Sequence, residues 1–151
     1  MTLKSNLKLA RAYQTQWERS RALTLRYATS TPPELYAYRP QPNLWTYGEQ
    51  LTHIFDSERM IWRRFLGLET SSSETFTSKD VVVEYIERVT AETRGYMAEL
   101  SDEQWEGLYL TLSGKQIPFF EMLLQQLDHE AHHRGQLAQY LRQNGRVPPE
   151  F

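Results

Sequence analysis

The sequence predicts an all-α protein, a four-helix bundle formed by one domain over residues 1–151. Three observations support this class. The length suits one compact domain, four long stretches repeat apolar residues at helical spacing, and no repeat or change of composition marks a second domain. Amphipathic helices must bury their apolar faces against one another, and four of them do so as a bundle.

The first predicted helix runs from Leu3 to about Ala28, a stretch without glycine or proline. Thr31 and the two prolines after it end this helix. The stretch 38–43 also contains two prolines, each of which removes a backbone donor and disfavours helix in the residue before it. We therefore expect an irregular linker that packs on the bundle.

Thr46 and Glu49 have the spacing of a capping box, so the second helix is predicted to begin there and to extend to about Leu66. Gly67 ends it, and the Thr- and Ser-rich stretch to residue 77 is predicted to be a surface loop. The third helix is predicted over about 78–100.

Residues 101–117 admit two interpretations, a short hairpin or an ordered loop. Pro118 suits the first position of a fourth helix that continues to about Gln143. Asn144 and Gly145 can adopt the left-handed conformation that ends a helix.

Composition and charge argue against several classes of protein. Cysteine is absent, so any metal must bind nitrogen or oxygen, and the chain offers no thiol nucleophile. The formal net charge is -2 and the arginines are scattered, which argues against a nucleic-acid partner. No stretch approaches ~18 continuous apolar residues and no signal-peptide pattern is present, so we expect a cytoplasmic protein without a membrane partner.

All four histidines lie in the second and fourth predicted helices. His129 and His133 are four residues apart, so their imidazoles share one helix face and can reach one ion. His53 lies beside the apolar stripe of its helix, as the pair does in the fourth. Three nitrogens would leave coordination positions open, as in catalytic metal sites. The alternative is that these histidines only form a partly exposed polar face. His132 points away from the shared face, so we expect it at the rim of the site or in contact with one of the metal-binding residues.

Two charged residues, Glu58 and Arg134, fall inside the apolar stripes of their helices. An unpaired buried charge is costly. The positions of these residues on helical wheels of the second and fourth helices therefore predict a Glu58–Arg134 salt bridge beneath the histidines, unless one side chain extends to solvent. Tyr140 could hydrogen-bond a bound ligand, although packing is the more ordinary role of an aromatic residue at helical spacing.

The run 129–137, which reads HEAHHRGQL, is followed by Tyr-Leu-Arg and Asn-Gly and closely resembles the last-helix signature of the DinB family. The second helix agrees, since Trp45-Thr46 precede a single histidine, His53, and then Glu58. The resemblance covers nearly the whole chain, and its His-His-Arg-Gly-Gln core is far more specific than the histidine spacing. The family belongs to the DinB/YfiT-like superfamily, whose members are inferred to be metalloenzymes.

The resemblance implies a four-helix bundle, often dimeric, with a zinc or nickel site whose ligands are His53, His129 and His133. Relatives include thiol-dependent transferases and a mycothiol-dependent isomerase. It therefore implies a metal-dependent transferase that uses a low-molecular-weight thiol on a small-molecule substrate. A metal-dependent hydrolase and a non-catalytic metal- or ligand-binding bundle are the alternatives. The hydrolase needs a base, and neither Glu130 nor Asp128 shares the ligand face.

A glycine inside the fourth helix also needs an explanation. Gly135 costs ~1 kcal/mol against alanine in a helix interior. Its presence predicts that another helix or a loop crosses closely at this point.

Overall fold

The computed structural model describes residues 3–70, 76 and 78–150. Within them it confirms the predicted all-α class, with four long helices and one small hairpin. The elements are α1 Leu3–Ser30, a 3-10 helix Pro33–Leu35, α2 Tyr47–Phe65, α3 Lys79–Glu99, α4 Asp102–Trp105, β1 Leu108–Leu110, β2 Gln116–Pro118 and α5 Phe119–Gln143. In the described part of the chain, no helix is both long enough and apolar enough to cross a lipid bilayer.

The four long helices pack as a bundle in which α2 and α1 each contact both α3 and α5. The core has two apolar clusters. The first includes Leu51, Ile86 and Leu137, and the second includes Trp17, Trp62 and Leu123. Along each long helix, buried polar residues lie in sequence between the two clusters, so a polar layer divides the core. These residues include Arg21 on α1, Glu58 on α2, Thr90 and Thr93 on α3 and Glu130 on α5.

The helix ends follow local sequence signals. Thr46 Oγ1 accepts a hydrogen bond from the Glu49 amide at 3.1 Å, and Glu49 Oε2 accepts one from the Thr46 amide at 2.6 Å, which confirms the capping box. Gly67 and Gly145 have φ values of 68° and 67°, the left-handed conformation that ends a helix without steric cost. The linker 38–43 is irregular, and its Tyr38 carbonyl accepts a hydrogen bond from the amide of Tyr47, the first residue of α2.

The structure decides between the two interpretations of 101–117 and corrects two predictions. β1 and β2 form an antiparallel hairpin, in which Leu108 pairs with Pro118. Because Pro118 belongs to this hairpin, it precedes α5 as its N-cap and is not its first residue. Gly135 is exposed, and a Cβ there would meet nothing within 4 Å, so the predicted close crossing is wrong. Most of the predicted loop before α3, residues 71–75 and 77, lies outside the described residues.

The predicted Glu58–Arg134 salt bridge is also wrong. Glu58 instead pairs with Arg21 of α1, whose Nη2 lies 2.5 Å from its Oε2, and both side chains are fully buried. Arg134 pairs with Glu130 of its own helix, Nη1 to Oε1 at 3.2 Å. Arg21 Nη2 lies 3.7 Å from Glu130 Oε2 and so joins the two pairs into one network. Helical wheels of α2 and α5 alone could not identify the partner of Glu58, because α1 supplies it.

Hydrogen bonds from neutral side chains add to this buried network, although Arg21 Nε and Glu130 Oε2 have no hydrogen-bond partner among the described residues. Glu58 also accepts from Thr93 Oγ1 at 2.7 Å and from Trp17 Nε1 at 3.0 Å. Thr24 Oγ1 donates to Glu130 at 2.5 Å. Since a buried carboxylate is tolerated only when it is paired and hydrogen-bonded, these contacts tie α1, α2, α3 and α5 together at one level.

We expect Arg21→Ala to lower the free energy of unfolding by about 3–5 kcal/mol, because it leaves the Glu58 carboxylate buried without its cation. Urea denaturation followed by far-ultraviolet circular dichroism measures this loss. The matched control is Arg19→Ala, an exposed arginine of the same helix, which should change the free energy of unfolding by less than about 0.5 kcal/mol. Equal effects of the two substitutions would contradict the network.

Candidate metal centre

Three histidines meet where α2 and α5 pack side by side. His53 Nε2 lies 3.0 Å from His129 Nε2, and His133 Nε2 lies 3.1 Å from the same atom. The available ligand atoms of all three residues lie within 4.8 Å of one another. The four-residue spacing stacks His129 over His133 on α5, as the sequence predicted, and the packing of α2 places His53 against them.

Burial keeps these imidazoles neutral. Loss of hydration lowers the pKa of His129 and of His133 to about 4, and the neighbouring imidazoles lower both values further. Loss of hydration also lowers the pKa of His53, although the charge of Asp56 opposes that shift. At neutral pH each of the three rings therefore keeps one lone pair and lacks the second proton, so none carries a positive charge that would repel a cation.

Two glutamine side chains orient His133. Its Nδ1 lies 2.6 Å from Gln50 Oε1 and 3.2 Å from Gln136 Oε1, and both oxygens can only accept a hydrogen bond. Nδ1 must therefore carry the proton of the neutral ring, which leaves the lone pair on Nε2, the atom that faces His129. Gln50 was not among the site residues predicted from the sequence, although its position three residues before His53 places both on one face of α2.

Tyr140 and Trp45 form a wall beside the histidines. The Tyr140 hydroxyl donates to the Trp45 carbonyl at 2.9 Å and lies 3.5 Å from Gln50 Nε2. The Trp45 ring centroid lies 4.5 Å from that of His53 and 6.0 Å from that of His133. In this structure Tyr140 holds the wall in place, and the indole covers one side of the histidine cluster.

The other polar residues near these positions lie elsewhere. His132 is exposed, and its Nε2 accepts a hydrogen bond from Gln136 Nε2 at 3.0 Å, which places it at the rim. Glu130 is fully buried in the ionic network and faces away from its neighbour His129. Asp56 accepts a hydrogen bond from Tyr85. Among the described residues, the histidine group includes no carboxylate.

This donor set fits a cation. With its proton on Nδ1, neutral His133 directs an Nε2 lone pair at His129, and His53 approaches the same nitrogen from α2. One ring hydrogen can bridge only one of these two close contacts, so the other brings two lone pairs together, an arrangement that a positive ion between the rings would relieve. Neutral imidazole nitrogens are ligands that zinc, nickel, copper and iron accept, so these three residues could hold such an ion.

The chain belongs to the DinB superfamily, whose family model matches residues 16–137. Two crystal structures of DinB-like proteins share its fold. The protein from Bacillus cereus is 21% identical with a TM-score of 0.80, over 93% of this chain and 96% of that one. The protein from Bacillus subtilis is 22% identical with a TM-score of 0.70, over 95% and 96% of the two chains.

A structure of the mycothiol-dependent maleylpyruvate isomerase shares the fold more distantly. It is 16% identical with a TM-score of 0.57, and the alignment covers 94% of this chain and 67% of that one. No curated protein sequence matches this chain. At these identities the similarity establishes the fold, and the chemistry must be argued from the residues of this chain.

The lowered pKa values make the stability of the metal-free protein depend on pH. Between pH 6.5 and about 4 the unfolded chain binds protons at His129 and His133 that the folded protein does not bind. The free energy of unfolding should therefore fall as the pH falls through this window. Above pH 6.5 the contribution of the two histidines to stability should be complete. Urea denaturation in the presence of a chelator, at several values of pH, measures the slope.

The His129→Gln variant isolates this effect from the titration of carboxyl groups. It removes one of the histidines that the fold keeps neutral, so its loss of stability on acidification should be smaller than that of the wild type. Identical slopes for the two proteins would refute the assignment of the lowered pKa to His129.

Proposed function

We propose that His53, His129 and His133 bind one divalent transition metal ion, zinc or nickel, and that the protein is a metal-dependent transferase that uses a low-molecular-weight thiol. The observation that carries the metal proposal is the meeting of three Nε2 atoms at 3.0 and 3.1 Å. Three protein ligands would leave at least one coordination position for an exogenous group, which is the pattern of catalytic sites.

The thiol must come from solution, because the chain has no cysteine of its own. A bound ion of this kind lowers the pKa of a coordinating thiol or water and so supplies a nucleophile at neutral pH. Gln50 holds His133 in the tautomer that presents Nε2, and the Trp45 ring lies against His53 on one side of the site. The mycothiol dependence of a distant structural relative agrees with a thiol substrate.

The contacts of the carboxylates favour the thiol over hydrolysis. A hydrolase needs a general base within hydrogen-bond reach of the attacking water. Glu58 and Glu130 are committed to the buried network, and Asp56 accepts from Tyr85. A free thiol is already far more acidic than water, so a thiol that coordinates the ion can lose its proton to solvent and depends less on a base within the chain. The small-molecule substrate and the homodimer stay predictions.

The metal proposal predicts one ion per chain and a loss of binding when any ligand is removed. His53→Ala, His129→Ala and His133→Ala should each weaken zinc or nickel binding by more than about 100-fold, beyond the 10- to 100-fold effect usual for residues that only support a ligand. Competition with a chromophoric chelator measures the affinity, and circular dichroism checks folding. His132→Ala is the matched control, because this exposed histidine lies outside the cluster.

Retention of wild-type affinity by all three variants would overturn the site. An equal loss in the His132→Ala control would show that His132 also takes part in binding, which would contradict the three-histidine site.

The thiol proposal is tested with cobalt as a spectroscopic substitute for the native ion. Glutathione, coenzyme A, mycothiol and bacillithiol are titrated in turn into the cobalt protein. One of them should produce a saturable sulfur-to-cobalt absorption band, which His133→Ala should abolish. If the cobalt protein binds its ion but gives no band with any thiol, the transferase proposal fails while the metal site stands, and the non-catalytic bundle becomes the better description.

A further inference from the structure

A cleft of about 520 Å³ lies between the linker and the C-terminal half of α5. Its linker wall runs from Pro40 to Trp45, and its helical wall comes from α5 residues between Gln136 and Gln143. The volume falls within the roughly 300–1,000 Å³ of small-molecule sites. The linker wall is fixed to the bundle, because the Tyr38 carbonyl accepts from the Tyr47 amide at 2.9 Å.

The cleft and the histidine cluster share part of their walls. Gln50 and Gln136 line the cleft, and both side-chain oxygens contact His133 Nδ1. Trp45 lines the cleft too, and its ring lies against His53. The three histidines do not themselves line the cleft, but Trp45, Gln50 and Gln136 border both, so the histidine cluster and the cleft lie side by side.

Uncharged carboxamide side chains make up most of the lining of this cleft. Six of the lining residues carry a carboxamide side chain, and none carries a charge. They are Gln41, Asn43, Gln50, Gln136, Gln139 and Gln143. Three of the six already bond within the protein, since Gln50 and Gln136 contact His133 and Gln143 Oε1 accepts from the Tyr38 hydroxyl at 3.0 Å. A carboxamide both donates and accepts hydrogen bonds, so the other three can pair with hydroxyl and amide groups of a ligand. It offers no full charge to offset the dehydration of a carboxylate or a phosphate.

We propose that this cleft binds the tail of the thiol substrate, and that it selects an uncharged tail bearing several hydroxyl or amide groups. The proposal rests on the proposed thiol function and adds the class of the substrate. From Gln136 to Gln143 the helix rises about 10 Å, which sets the length of tail that the carboxamides can follow. Gln139 is a specificity-determining residue in this scheme, since it lies midway along that wall and is exposed to the ligand.

Three thiols that share one head and differ in the tail test the selection. They are the gluconamide, the succinamate and the hexanamide of cysteamine, which carry a polyhydroxyl, a carboxylate and an apolar tail. Each is titrated into the cobalt protein, and the sulfur-to-cobalt band measures its Kd. We expect the gluconamide to bind at least about 10-fold more tightly than the other two, as a few net hydrogen bonds would give.

Substitutions at Gln139 assign the effect to the cleft. Gln139→Leu should weaken the gluconamide about 3- to 10-fold, the loss of one hydrogen bond, and leave the hexanamide unchanged. Gln139→Lys should instead tighten the succinamate, a gain that a merely structural role would not produce. Gln125→Leu and Gln125→Lys are the matched controls, because Gln125 is an exposed glutamine of the same helix outside the cleft.

The outcomes separate this inference from the proposed function. A band with equal Kd for the three tails, or Gln139 variants that behave like their Gln125 controls, overturns the cleft while leaving thiol binding intact. Tighter binding of the succinamate by the wild type overturns the selection of an uncharged tail. The absence of a band with every thiol, in protein that has bound cobalt, overturns the thiol function and the cleft with it.

Discussion

The dehydration of two carboxylates in the middle of the bundle constrains the whole structure. Glu58 and Glu130 are fully buried, and each needs a cation within the core. Arg21 lies between them, 2.5 Å from one and 3.7 Å from the other, so α1 bridges α2 and α5. A shift of one helix along its axis would leave at least one of these charges unpaired, at a cost comparable to a large part of the stability of a small domain.

This constraint also builds the metal centre. Glu130 follows His129 directly, and Glu58 lies five residues beyond His53. Because Arg21 contacts both carboxylates, neither α2 nor α5 can slide far along its axis, which keeps His53 beside His129, where their Nε2 atoms meet at 3.0 Å. The apolar clusters on both sides of the polar layer hold the helices together, while the paired charges determine their relative position.

Around the histidines, neutral amides take the supporting role that carboxylates often have. Gln50 accepts the Nδ1 hydrogen of His133, which orients the ring without adding negative charge to the site. Under the proposed function, the ion would thus retain more of its positive charge for an incoming thiol. The same preference for carboxamides continues into the cleft, so the site and its proposed tail pocket share one neutral, hydrogen-bonding character.

The sequence by itself determined the helices, the capping box at Thr46 and the His129–His133 pair, because periodicity and spacing are local properties of one helix, while the resemblance to the DinB family added His53. Only the tertiary structure decided the charge partners, since Arg21 pairs with Glu58 across a helix interface that no single wheel contains. For the same reason, neither the role of Gln50 nor the cleft could be predicted from the sequence. A glutamine has no periodicity of its own, and its role depends on which side chain the neighbouring helix brings within hydrogen-bond distance.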